Sequence, residues 1–287
     1  MGHRCALGSV DRRDFLILLG AGLVAALGGC ACAVPDHRAN GSSTPPTHTT
    51  ANSPSMTSEP VSRVVSPPLP PIPKARLGRP EVVYKAPGPT RQVALTIDDG
   101  YCDECAAGYV AFAERTGIAL TMSPNGAFHR IWDRFAGRLR PLIAAGQVQI
   151  GNHTWSHRSL ISLRDAAVRM EIERNEEWIE KSFGITARPW FRPPYGKRDG
   201  RIDALAASLG YTKIVMWNGT LGDAIPESPA VLLDLANRWI QAGAIVLGHA
   251  NHPTVLGLFD QLQAIVAQRG LQPVTLDTMF GTTRATG

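Results

Sequence analysis

Short, continuous apolar runs recur along the C-terminal two thirds of the chain at 93–97, 118–122, 148–150, 190–191, 214–217, 244–247 and 273–276. Continuous rather than alternating apolar character fits parallel strands buried on both faces. The stretches between them are amphipathic and predict helices over 103–116, 134–145, 163–183, 201–209, 229–242 and 256–269. The clearest is 163–183: Ser162 and Asp165 form a capping signal, Val168, Ile172, Ile179 and Phe183 share a stripe, and Gly184 marks the stop. About seven strands alternating with helices describe a (β/α) barrel or an open wound sheet, two architectures that share this periodicity.

Composition shows where that pattern stops. The chain has 287 residues and 22 prolines, and 13 of the prolines fall between residues 34 and 90. Residues 34–75 are rich in Pro, Ser and Thr without hydrophobic periodicity. Such a segment cannot bury enough apolar surface to offset its chain entropy, so it is expected to be an extended, solvated linker. Residues 76–90, still rich in Gly and Pro, form a transition with no assigned element. The remaining 91–287 make one folded domain.

Residues 1–33 read as a secretory signal: Arg12-Arg13-Asp14-Phe15-Leu16, an apolar core, then small residues. The paired arginines resemble a twin-arginine export signal. Leu27-Gly28-Gly29-Cys30 resembles a lipobox ending at Cys30, preferred here to the A-x-A site Ala31-Cys32-Ala33 because the cysteine directly follows the apolar core. An uncleaved anchor is the third reading, and all three export the domain, either held on the outer face of the membrane by a lipid anchor or secreted. The long apolar run at 15–29 is shorter than the ~20 residues of a spanning helix, which excludes a polytopic membrane protein. With 29 Lys+Arg against 24 Asp+Glu, net +5, the charge is compatible with anionic envelope polymers. No clustered basic helix or nucleic-acid motif is present, so no nucleic-acid partner is expected.

Chemically capable side chains fall at the ends of the predicted strands: Asp98 and Asp99, His153 and His157, Arg192, Asp223, and His249. In a parallel β/α domain these ends lie on one face, where such folds build their sites. Neighbouring strand residues point in opposite directions, so Asp98 and Asp99 are expected to divide cation binding from proton handling, with a helix N-cap as the plainer alternative. His153 and His157 are four apart, a spacing that one helical turn would place on one side. Two neutral histidines with a carboxylate make the open three-ligand site of catalytic zinc and of some iron and manganese enzymes, and Asp99 supplies the carboxylate. Arg192 begins a rigid Arg-Pro-Pro-Tyr-Gly turn in which the backbone N–H of Tyr195 is free to donate to an oxyanion; a solvated surface turn is the alternative. His249 is either a satisfied core histidine or an acid positioned by Asp223. Cys102 and Cys105 are expected to form a local disulfide in an exported domain. His252 is expected at the rim, and Cys32 as an unpaired thiol in the tether.

These segments, in this order, resemble the motif series of the NodB-type polysaccharide deacetylases, carbohydrate esterase family 4, over roughly residues 92–280. The resemblance implies a distorted (β/α) barrel and metal-dependent N- or O-deacetylation of acetylated sugars. Thr96-Ile97-Asp98-Asp99-Gly100 matches the first motif, which implies that Asp98 is the general base and Asp99 a metal ligand. His153 and His157 match the metal histidines, with Zn2+ the expected ion and Co2+, Mn2+ or Ni2+ the alternatives. Arg192 matches the arginine that tethers the base, Tyr195 the oxyanion-hole amide, and His249 the general acid of the Leu-x-His motif. The fourth motif departs: Asp223 remains to orient His249, but Thr220 replaces the first Asp and Ala224 the groove-lining Trp.

The expected chemistry is hydrolytic, with Asp98 taking a proton from the attacking water and His249 protonating the leaving amine. The expected partner is an acetylated glycan, a cell-envelope or extracellular polysaccharide. The lost Trp keeps a rival in view, a metal amidohydrolase acting on a small non-sugar amide. A non-catalytic glycan-binding lipoprotein is disfavoured, since a binder has no use for base, ligands, tether and acid together.

Overall fold

The computed structural model describes residues 71–72 and 74–282. The export signal and the linker up to residue 70 lie outside the described residues. The apolar runs become strands because their side chains are enclosed on both faces. In β2 (Gln92–Asp99) every residue from Val93 onward is buried, and β3 (Leu120–Pro124) and β4 (Val148–Ile150) are buried throughout. The other strands are β1 (Glu81–Val83), β5 (Trp190–Phe191), β6 (Lys213–Val215), β7 (Gly219–Thr220), β8 (Ile245–His249) and β9 (Gln272–Pro273). Every ladder between them is parallel.

Two sheets result, ordered β4-β3-β2-β8-β7 and β1-β6-β5, with β9 added to the start of β2. They meet through single bonds instead of full ladders. The Asn152–Phe191 bridge joins the end of β4 to β5, while Asn218 N donates to Ile245 O at 3.2 Å beside β8. The outcome is a distorted (β/α) barrel whose strand ends gather on one side. Among the described residues no helix is long and apolar enough to cross a membrane.

Helices α1 (Asp103–Thr116), α2 (His129–Asp133), α3 (Ala136–Ala144), α4 (Asp165–Phe183), α5 (Gly200–Ser208), α6 (Pro229–Trp239), α7 (Phe259–Gln268) and α8 (Leu276–Phe280) pack around the strands. Local chemistry explains their ends. Asp199 and Ser228 cap α5 and α6 through the amides of Ile202 and Val231, and left-handed Gly117 and Gly184 terminate α1 and α4. The buried stripe of α4 contains Val168, Ile172, Ile179 and Phe183, as its periodicity predicts.

Three expectations need correction. The cap proposed for α4 is absent: Arg164 precedes the helix without a side-chain cap, and Ser162 Oγ donates to Ser159 O at 2.8 Å within the preceding turn. Segment 76–90 carries β1, whose Glu81 pairs with Lys213 of β6, although its Gly and Pro content hid a three-residue strand. The strand expected at 273–276 stops at Pro273, because Thr275 caps α8 by accepting from Thr278 N.

Candidate metal centre

The site begins at the end of β2, where the backbone breaks its own alternation. Asp99 has φ 67°, a left-handed value that is uncommon outside glycine, and Gly100 follows at φ 118°. A Cβ on Gly100 would stand 2.2 Å from Trp132 Nε1, so only glycine allows that indole to approach and donate to Asp99 O at 2.8 Å. The expected divergence of Asp98 and Asp99 therefore fails. His153 Nε2 lies 3.6 Å from Asp98 Oδ2 and 3.5 Å from Asp99 Oδ1, so both carboxylates border one cluster.

His153 and His157 do not share a helical turn. They sit in the loop after β4, where left-handed Thr154 (φ 69°) and His157 (φ 55°) curl the chain until the two rings lie 4.8 Å apart. Asp99, His153 and His157 each offer one ligand atom, all within 4.8 Å of one another. The donor set fits a divalent metal. His153 Nδ1 is bound to Arg192 O at 2.7 Å, which leaves Nε2 toward Asp99, and His157 Nε2 is 3.4 Å from Asp99 Oδ1. Burial, then the His153 imidazole, pushes the His157 pKa down to about 4, so the ring is a neutral donor near pH 7. Burial acts to raise the Asp99 pKa, but His153, His157, His249 and the Asn251 amide together outweigh it and keep the pKa low.

Asp98 is fixed by Arg192, which is 1% exposed and donates from Nη1 to Asp98 Oδ1 at 2.9 Å and to Thr96 Oγ1 at 2.8 Å. On the neighbouring strand, opposite Asp98 in register, His249 N donates to Asp223 Oδ2 at 2.9 Å, and His249 Nδ1 lies 3.0 Å from Asp223 Oδ1. Burial would lower the His249 pKa. The Asp223 hydrogen bond and charge, with Asp98 and Asp99 adding to them, overcome that and leave it raised, which favours the protonated ring. Tyr195 adopts φ 59° in the turn Pro194–Gly196; the residue is 62% exposed and its ring lies 4.5 Å from the His157 ring. Thr220 only closes its own turn, accepting from Gly222 N at 3.0 Å, and Ala224 is exposed.

The structure thus gathers the catalytic and metal-binding candidates at one side of the strands, and adds residues the sequence reading passed over. Asn125 and Asn251 donate from Nδ2 to the two oxygens of Asp99, each at 2.7 Å. Both follow the ends of strands, so the rule that found His153 and His249 covered them too. Nothing in the sequence marks Trp132. Cys102 and Cys105 form a disulfide, and His252 Nε2 lies 2.8 Å from Tyr101 OH outside the cluster.

A family model for polysaccharide deacetylase matches residues 85–214. Among curated relatives, Streptomyces coelicolor SCO4760, described as uncharacterized, is 32% identical over 64% of this chain and 71% of its own length. Bacillus subtilis YlxY, also described as uncharacterized, is 27% identical over 66% of this chain, and the chain covers only 56% of that protein. The solved structure of the Bc1960 peptidoglycan N-acetylglucosamine deacetylase superposes with a TM-score of 0.61 at 26% identity, covering 71% of this chain and 94% of that one. BA3943 of Bacillus anthracis, described as a CE4 family pseudoenzyme, shares the fold with a TM-score of 0.62 at 22% identity over 70% of this chain and 69% of its own.

Proposed function

Because this chain belongs to the polysaccharide deacetylase family, the CE4 proteins with a NodB-type domain, we propose that it hydrolyses acetyl groups from acetylated sugars of cell-envelope or extracellular polysaccharide. One observation carries the reading. An arginine-held carboxylate, Asp98, and an aspartate-held imidazole, His249, stand as direct register partners across β2 and β8, beside the Asp99, His153 and His157 donor set.

The roles follow from that arrangement. Arg192 holds and orients Asp98 through its hydrogen bond to Oδ1, and Asp98 accepts a proton from the attacking water. Asp99, His153 and His157 would hold a divalent metal, with zinc the ion best suited to two imidazoles and a carboxylate, and the bound ion would supply Lewis acidity to the site. The Tyr195 backbone N–H donates to the developing oxyanion. His249, kept protonated by Asp223, gives its proton to the departing amine or alcohol. The folded domain, which includes β1, works outside the cytoplasm behind the linker that begins at residue 34, exported by a twin-arginine signal and anchored through a lipid on Cys30.

Exposed Ala224, where the family places a groove-lining Trp, favours a second reading: a metal amidohydrolase for a small non-sugar amide. Acetate release from N-acetylated chitooligosaccharides, peptidoglycan, acetylxylan and small acetanilides, assayed with and without zinc, tests both. Release from a glycan supports the first reading. Release confined to the small amides supports the second, and no release from any substrate rejects both.

A further inference from the structure

The loop that carries His153 needs an external support, because Thr154 is a β-branched residue at φ 69°, a left-handed conformation that such residues rarely adopt. That support is a buried chain of hydrogen bonds leading away from the metal centre. Asn152, fully buried, accepts at Oδ1 from Thr154 N at 2.9 Å, a bond that closes around His153. Its Nδ2 donates to Ile172 O at 3.0 Å and to Tyr211 OH at 2.7 Å. Asn152 O accepts from Arg192 N at 2.9 Å, so the same residue also fixes Arg192, whose carbonyl holds His153 Nδ1.

The direction of every proton in this chain is determined. Thr154 N can only donate and Ile172 O can only accept, so the Asn152 amide has one orientation. Tyr211 OH must then accept from Asn152 and pass its own hydrogen onward, and the group that receives it is the carboxylate of Glu176, 2% exposed. Arg188 Nη1 at 2.7 Å, Thr186 Oγ1 and the backbone N–H of Ala187 also donate to Glu176. The buried carboxyl group at the far end accepts from these donors, and hydrogen bonds joined in series in a buried network strengthen one another.

We infer that Glu176 and Tyr211 are positioning residues for the metal centre, acting through Asn152 to hold the Thr154 backbone and so to aim His153 at Asp99. This rests on the assignment of Asp99, His153 and His157 as metal ligands. The test uses the full-length, metal-stripped protein and measures the zinc Kd by chelator competition, the Co2+ absorption spectrum, and thermal unfolding without metal. Tyr211→Phe removes only the relaying hydroxyl and is expected to weaken zinc binding by roughly tenfold or more and to alter the Co2+ spectrum. Glu176→Gln keeps the shape and an acceptor oxygen, so a smaller loss of affinity is expected. Trp178→Phe loses a different, partly buried bond, Nε1 to Asp133 Oδ1 at 2.9 Å, and should lower stability with zinc affinity unchanged. A wild-type zinc Kd in Tyr211→Phe, whatever its melting temperature, overturns the inference and leaves the metal site standing. If Tyr211→Phe does not fold, Glu176→Gln decides by the same criterion. Wild-type protein that binds no zinc overturns both.

Discussion

Asp98 and His249 are register partners on adjacent parallel strands, one held by a buried guanidinium and the other by a buried carboxylate. Each therefore has its direction set by a buried partner of opposite charge, beside the donor cluster formed by Asp99, His153 and His157.

Asp98→Asn removes the proton acceptor while keeping size and an oxygen for Arg192. Turnover should fall by at least about a hundredfold, the scale of general-base catalysis, with zinc content retained. Steady-state kinetics beside elemental analysis check this, and near-normal turnover would remove Asp98 from the base position.

His153→Ala takes away a ligand that is buried and already oriented by Arg192 O. The purified variant should carry little zinc and bind it far more weakly than wild type. Stoichiometric zinc in the variant would reject the ligand set.

Asp223→Asn probes the pH profile. His249 has a raised pKa, and Asp223 is the chief cause acting in that direction, so an acid role is present below that pKa and lost as pH rises through it. Without the Asp223 charge the pKa drops, and the alkaline limb of kcat/KM should move to lower pH. An alkaline limb that stays in place in this variant would mean that another group carries the acid role.

Gly100→Ala forces a side chain into Trp132 at a backbone φ of 118°. Overpacking and strain together should cost about 2–5 kcal/mol, read from urea unfolding. Zinc affinity should fall as well, because the displaced indole also holds Asp99 O.

The sequence carried the strands because burial on both faces leaves continuous apolar runs, and it carried the site because parallel strands deliver their terminal residues to one side. β7 left no such signature, since Gly219–Thr220 is held by pairing with β8 instead of by apolar content. Asp98 and Asp99 were legible as chemistry yet misread as geometry: alternation holds for extended residues, and Asp99 is left-handed. The two histidines failed in the same way, since their spacing of four arises in a curled loop and not in a helix.

The sequence by itself determined the family, the alternation of strand and helix, and the residue types at the strand ends, because these are written in local patterning and in the order of the motifs. Only the tertiary structure decided that Asn125 and Asn251 grip Asp99, that Trp132 underlies Gly100, and that Glu176 reaches the His153 loop through Tyr211 and Asn152. Those partners are 26 to 152 residues apart along the chain, or joined in series through groups no periodicity links. Their contact is a consequence of the closed packing of strands and helices, which no local window of sequence contains.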